Sequence, residues 1–128
     1  MEDMPIIFSY TRAQALKDGV LVDLTEWAKT LGFLIPVACT GVVWEGFIVP
    51  PDEARHAGQS ERGRAHDLLW TLLCAIRRTP PSDVVCFSVL FQGTLSRPMQ
   101  SAGQEFKAIC GPGDLGEPVI TVMLPEED

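Results

Sequence analysis

A chain of 128 residues with 46% hydrophobic and 21% charged side chains is the size of one globular domain, long enough for a single core and unlike a disordered segment. Its formal net charge of −7, from 10 basic and 17 acidic residues, argues against a general nucleic-acid or anionic-membrane binder, both of which need a cationic face. An acidic surface suits a basic partner, or serves only solubility.

The opening stretch MEDMPIIFSYTR carries two acids and a short apolar run, so neither a signal peptide nor a membrane-spanning helix is expected. Thr11 and Gln14 have the spacing of a capping box, and Gly19 can close the helix they begin, over residues 12 to 18. Val20–Val22 reads as a short apolar strand or extended segment. Thr25 then caps a second short helix through Leu31, stopped by Gly32. The first third is therefore expected to be a compact α-rich unit.

After the apolar Pro36–Cys39, Thr40 can cap a helix carrying Val43, Trp44 and Phe47. Gly41 and Gly46 leave a strand from 41 to 49 open as the alternative. Residues 51 to 63 are polar and read as a surface loop. From Arg64 to Arg78, Leu68, Leu69, Leu72, Leu73 and Ile76 recur at the spacing of one buried helix face, with Arg77 and Arg78 in the last turn.

Past the Pro80-Pro81 break the pattern turns to strand. Val84–Phe91 is β-branched and aromatic, Glu105–Cys110 alternates, and Val119–Leu124 ends at Pro125. The expected fold is α+β over residues 1–128 as a single domain. Short N-terminal helices and one long helix would pack on a three- to four-stranded, mainly antiparallel sheet.

The G-P-G-D-L-G run from Gly111 to Gly116 matches a dinucleotide-binding glycine pattern letter for letter. That pattern needs a helix after the glycines, whereas here Glu117-Pro118 and another strand follow. Pro112 lacks an N–H donor, and Asp114 places negative charge where phosphate would sit. Residues 111 to 118 are thus expected to be a hairpin connection, and no cofactor is expected.

Four cysteines, Cys39, Cys74, Cys86 and Cys110, lie far apart, and three fall in apolar stretches. Buried thiols are expected, with no disulfide and no metal site; His56 and His66 supply none. Nucleophile motifs are absent, so no catalytic residue is named. His66-Asp67 reads as a solvated helix face, Asp23 and Glu26 as helix-start electrostatics, and Trp27, Trp44 and Trp70 as core.

The blocks YTRAQALKDGVLVD from Tyr10 to Asp23, PVACT from Pro36 to Thr40 with Trp44, DLLW from Asp67 to Trp70, and CGPGDLGEPVITVMLPEED from Cys110 to Asp128 together resemble one family. It comprises uncharacterised small proteins of phages, plasmids and other mobile elements, catalogued as a domain of unknown function. The similarity spans nearly the whole chain, although the stretch from about 49 to 63 carries none of these blocks. It implies a small accessory protein of a mobile element acting in the bacterial cytoplasm, and supplies no activity, cofactor or catalytic residue.

Two function classes follow. The first is a non-enzymatic factor that binds a host or mobile-element protein, such as an inhibitor of a CRISPR–Cas system. Its partner-binding acids would be Asp114 and Glu117 in the hairpin loop and Glu126, Glu127 and Asp128 in the tail. The second is a small enzyme or ligand-binding domain with a pocket near Tyr10, Arg12 and the 111–118 loop.

Overall fold

The computed structural model describes residues 10–56, 58–91 and 103–127. Helix α1 (Arg12–Asp18) begins with the capping box expected of it: Thr11 Oγ1 accepts from Gln14 N at 3.0 Å, and Gln14 Oε1 accepts from Thr11 N at 2.9 Å. Gly19, at φ 81°, ends it. Strand β1 (Leu21–Asp23) and helix α2 (Thr25–Leu31) follow. The cap residue of α2 is Leu24, not Thr25, and no side chain caps there. Asp23 Oδ1 instead accepts from Thr25 N at 2.9 Å and from Thr25 Oγ1 at 2.6 Å, bracing the turn into the helix.

Strand β2 (Val37–Thr40) is followed by a helical segment, which settles the alternative left open for residues 41 to 49. Thr40 Oγ1 accepts from Val43 N at 3.2 Å, and α3 (Gly41–Val43) runs on as one π-helical turn, Trp44–Ile48. The stretch expected to be a loop, 51 to 63, holds helix α4 (Asp52–His56) and the start of the long helix α5 (Glu61–Arg78). The long helix therefore opens three residues before Arg64. Ser60 Oγ accepts from Gly63 N at 3.0 Å, so an N-cap starts the helix inside the polar stretch.

The sheet corrects the expected strand count and type. Strands β3 (Val84–Val89), β4 (Gln104–Pro112) and β5 (Pro118–Met123) are joined by β1 and β2 in one five-stranded mixed sheet of order β1-β2-β5-β4-β3. β2 runs parallel to β5, with Val37 beside Ile120 and Cys39 beside Val122; the other three pairings are antiparallel. The first third holds the two short helices expected of it, and its two strands, β1 and β2, enter the sheet. The α+β class stands.

Helix α5 buries Leu68, Leu69, Leu72 and Leu73 against one sheet face, where Val37, Cys39, Phe87, Val89, Phe106, Ala108 and Val122 meet it. The inward face of each strand follows the two-residue alternation of side chains. Helix α1 serves the opposite face, since Arg12 reaches Thr121, the neighbour of inward-facing Val122. Trp27 and Trp44 pack on the core and stack at 6.4 Å, as core residues should. Trp70 is exposed and stacks on His66 instead, which corrects the expected core role.

The thiols also divide. Cys39 is buried, and burial pushes its pKa up to about 12, so it stays protonated and unreactive. Cys74 and Cys110 are half-buried, and Cys86 is exposed on β3. No helix among the described residues is long and apolar enough to cross a membrane.

Candidate functional site

Three pieces of chain distant in sequence converge beside α1. The hairpin between β4 and β5 turns through residues 113 to 117: Gly113 N donates to Glu117 O at 2.6 Å, and Gly116 sits at φ 83°. The 111–118 segment is thus the hairpin connection expected, with no helix after its glycines. Its tip docks on α1. Asp114 Oδ1 accepts from Arg12 N at 2.8 Å, and Oδ2 accepts from Ala13 N at 3.0 Å. One carboxylate therefore satisfies two of the four N–H groups that a helix start leaves unpaired, and it does so against the positive end of the helix dipole.

The Arg12 side chain then crosses the sheet face, donating to Thr121 Oγ1 at 2.7 Å and to the Ile120 carbonyl at 3.0 Å. Burial lowers its pKa from the usual arginine value, and the carboxylates of Asp23, Asp114 and Glu117 oppose that shift. Around this half-buried guanidinium opens a groove of about 320 Å³. Its polar wall is Asp23, Glu26, Asp114 and Glu117, and Pro36, Ala38 and Val119 form part of the apolar floor. Four acidic residues and one arginine line it; Asp23, Asp114 and Glu117 act on the guanidinium, and Glu26 is paired with Lys29.

These acids are not equally free. Asp23 is held by Thr25, Asp114 by α1, and Glu117 Oε1 accepts from Leu115 N at 2.9 Å. Among the described residues Glu26 meets only Lys29, at 3.5 Å one helical turn on, with its side chain 85% exposed. It is the acid best placed to reach another molecule.

The expected pocket near Tyr10, Arg12 and the hairpin loop corresponds to this groove in two of its three parts. Arg12, Asp114 and Glu117 line it, whereas the Tyr10 hydroxyl donates to the Asp18 carboxylate, which raises the tyrosine pKa. Asp23 and Glu26, read from sequence only as helix-start charges, belong to the groove as well. Their nearness to the loop acids has no local sequence signature.

The tail acids lie at the other end of β5. Glu127 Oε2 accepts from Thr40 Oγ1 at 2.9 Å and from Leu124 N at 2.8 Å, tying the tail to the start of α3. Glu126 is exposed, and Asp128 lies outside the described residues. Loop and tail therefore do not form one continuous acidic face.

Two further features carry no evident chemistry. His66 Nδ1 lies 3.8 Å from Asp67 Oδ1 on the exposed face of α5, with both side chains at least half exposed. A second, apolar crevice of about 260 Å³ lies between the end of α5 and the sheet, lined in part by Ile35, Ile76, Val85, Cys110 and Ile120. Among the described residues no group of three or more His, Cys, Asp or Glu side chains could hold a metal ion.

The Asp114 contact has a measurable consequence. Asp114→Ala is expected to lower folding stability by about 1–2 kcal/mol, the usual cost of losing a helix cap, with Asp114→Asn recovering part of it. Denaturant melts of the two variants check this; a stability equal to wild type in Asp114→Ala would show the loop-to-helix contact to be energetically idle.

The model of a family described as a family of unknown function, DUF6573, matches residues 1–128. No curated protein matches the chain. No solved structure matches it either.

Proposed function

On the premise that the chain belongs to the DUF6573 family over its whole length, we propose that it is a non-enzymatic accessory protein of a phage or plasmid, working in the bacterial cytoplasm by binding a basic protein. The observation that carries this reading is the groove lined by Asp23, Glu26, Asp114 and Glu117 together with Arg12. A concave site with excess negative charge and an apolar floor suits a protruding lysine or arginine, whose methylene stem packs below while its head meets carboxylates. Glu26 and Glu117 make that contact, and Asp114 holds the loop that presents Glu117. The tail acids Glu126, Glu127 and Asp128 extend the negative field at the other end of β5. A nucleic-acid-binding protein of a host defence system, such as a CRISPR–Cas effector, has a basic surface of the required sign.

A pull-down from bacterial lysate with wild type and Glu26→Lys in parallel, compared by mass spectrometry, tests the reading. A basic protein retained by wild type and released by Glu26→Lys is the expected result. Equal retention by both removes the groove from the interface.

The half-buried Arg12 guanidinium favours a second reading, in which the groove holds a small ligand as a binding domain or enzyme would. A thermal shift with metabolites and none with basic proteins would favour it.

A further inference from the structure

We propose that the apolar crevice between the C-terminal end of α5 and the sheet binds a small organic cation with a compact hydrocarbon body, an arylalkyl amine in type. The crevice holds about 260 Å³, and all of its lining residues are among those described. It assembles no catalytic constellation; what it offers is recognition. The gap has a cause in the sequence. Alternation along the strands sets Val85, Ala108, Cys110 and Ile120 on the sheet face that carries Phe87, Phe106 and Val122. The helix above that face ends at Arg78, and Pro80-Pro81 forbid another turn. Ala108 and Ile120 are buried, whereas Ile35, Ile76, Val85 and Cys110 stay half-buried, so the core layer runs out before the sheet does.

Volume and lining set the body of the ligand. An aliphatic cavity of about 150 Å³ is enough to hold benzene. The larger crevice therefore has room for a ring and a short chain. Water gains little there, because the hydroxyls and the nearest carbonyl are already engaged. Thr79 Oγ1 donates to the Ala75 carbonyl at 2.9 Å, Ser82 Oγ accepts from Val84 N at 3.2 Å, and the Asp83 carbonyl accepts from Cys110 N at 2.8 Å.

Charge sets the head. Asp83 is the one charged residue of the lining, and its carboxylate has no hydrogen bond or ion pair among the described residues. The C-terminus of α5 adjoins it, where the last carbonyls carry the negative end of the helix dipole. Thr79 N takes the Ala75 carbonyl, but Pro80 and Pro81 have no N–H for the carbonyls that follow. Both features favour a cation and oppose an anion, and Arg77 and Arg78 do not line the crevice. The acidic groove lies on the other side of the sheet: Val119 lines the groove and Ile120, the next residue of β5, lines the crevice. Ligand binding here is therefore separate from the groove's partner and stands or falls without it.

Titration of the reduced full-length chain with phenethylamine, followed by amide-resolved NMR, tests the proposal. Phenylacetate and phenethyl alcohol serve as the anionic and neutral counterparts of similar size. The amides of Ile76, Val85 and Cys110 should shift together and saturate, with a dissociation constant on the order of millimolar or below, as suits so small a ligand. Phenylacetate should bind there at least about tenfold more weakly than phenethylamine. Asp83→Asn should remove most of that preference and leave the binding of phenethyl alcohol as in wild type. Cys110→Leu, which fills the crevice with a larger apolar side chain, should abolish binding of all three. Should it fail to fold, Ile76→Phe, at another half-buried position, replaces it. No saturable shift at these amides, or shifts confined to the groove residues Arg12 and Val119, would overturn the proposal. So would equal binding of cation and anion, a preference unchanged by Asp83→Asn, or binding undiminished in the filled variant.

Discussion

Phe106→Ala is expected to cost about 3–5 kcal/mol of folding stability, the largest loss of any single substitution considered. Phe106 is the third residue of β4, fully buried, and is the largest of the side chains with essentially no exposure. Its ring meets Phe47 edge-on at 5.4 Å, Phe91 edge-on at 6.1 Å and its cross-strand partner Phe87 at 5.8 Å. Removing it takes apolar area out of the core and leaves a cavity at a point where the π-helical turn, the end of β3 and β4 all meet. Neighbours on the π-helical turn, on β3 and in the segment just after β3 cannot all relax inward, so the cavity persists. Against a total stability of about 5–15 kcal/mol, typical of such domains, the variant would be close to unfolding. Chemical denaturation should show a lower midpoint at unchanged slope. A loss within about 0.5 kcal/mol, as at a surface site, would mean that this aromatic cluster is not the centre of the core.

The periodicity of α5 gives the second large effect. Leu72→Ala should cost about 2–5 kcal/mol, because Leu72 is fully buried between the helix and the sheet. Arg78→Ala should change stability by no more than about 0.5 kcal/mol. Arg78 is exposed in the last turn and has no ion pair among the described residues, so only its favourable position in the helix dipole is lost. Paired denaturant melts decide it. Equal losses at the two positions would contradict the assignment of the buried face.

Local signals in the sequence were reliable where the structure obeys local rules. Thr11 with Gln14, the closing Gly19 and Gly32, the leucine spacing of α5 and the hairpin at 111–118 each depend on residues a few positions apart. The parallel pairing of β2 with β5 does not. Val37 and Ile120 are brought together by the intervening helices, and nothing near either residue announces the other. The expected sheet was therefore too small and too uniformly antiparallel. Polar composition hid α4, since five residues are too few to show a period, and the same polarity hid the first turn of α5 and its Ser60 cap.

The candidate site was half legible for the same reason. Asp114 and Glu117 stood out as acids on a glycine-rich loop, but their hydrogen bonds to α1 and within the loop could not be read from that loop alone. Asp23 and Glu26 join them only because β1 lies next to β2, and β2 next to β5. The acids expected to meet a partner are in part structural: Asp114 and Glu127 both hold main-chain N–H groups. Reversing them would disturb the fold along with any interface. Glu26, free of such duties, is the cleaner probe.

The most direct test of the acidic groove as a protein-binding site is a calorimetric titration of the captured basic partner at low and at physiological ionic strength. Wild type would be compared with a variant carrying Glu26→Lys and Glu117→Gln, the glutamine keeping an acceptor for Leu115 N. Wild-type affinity should fall as salt rises, because exposed charges are screened within about 8 Å at physiological ionic strength. The variant should bind at least about tenfold more weakly, equivalent to about 1.4 kcal/mol, and lose most of the salt dependence. Wild-type affinity in the variant at both ionic strengths would contradict an acidic groove as the binding site.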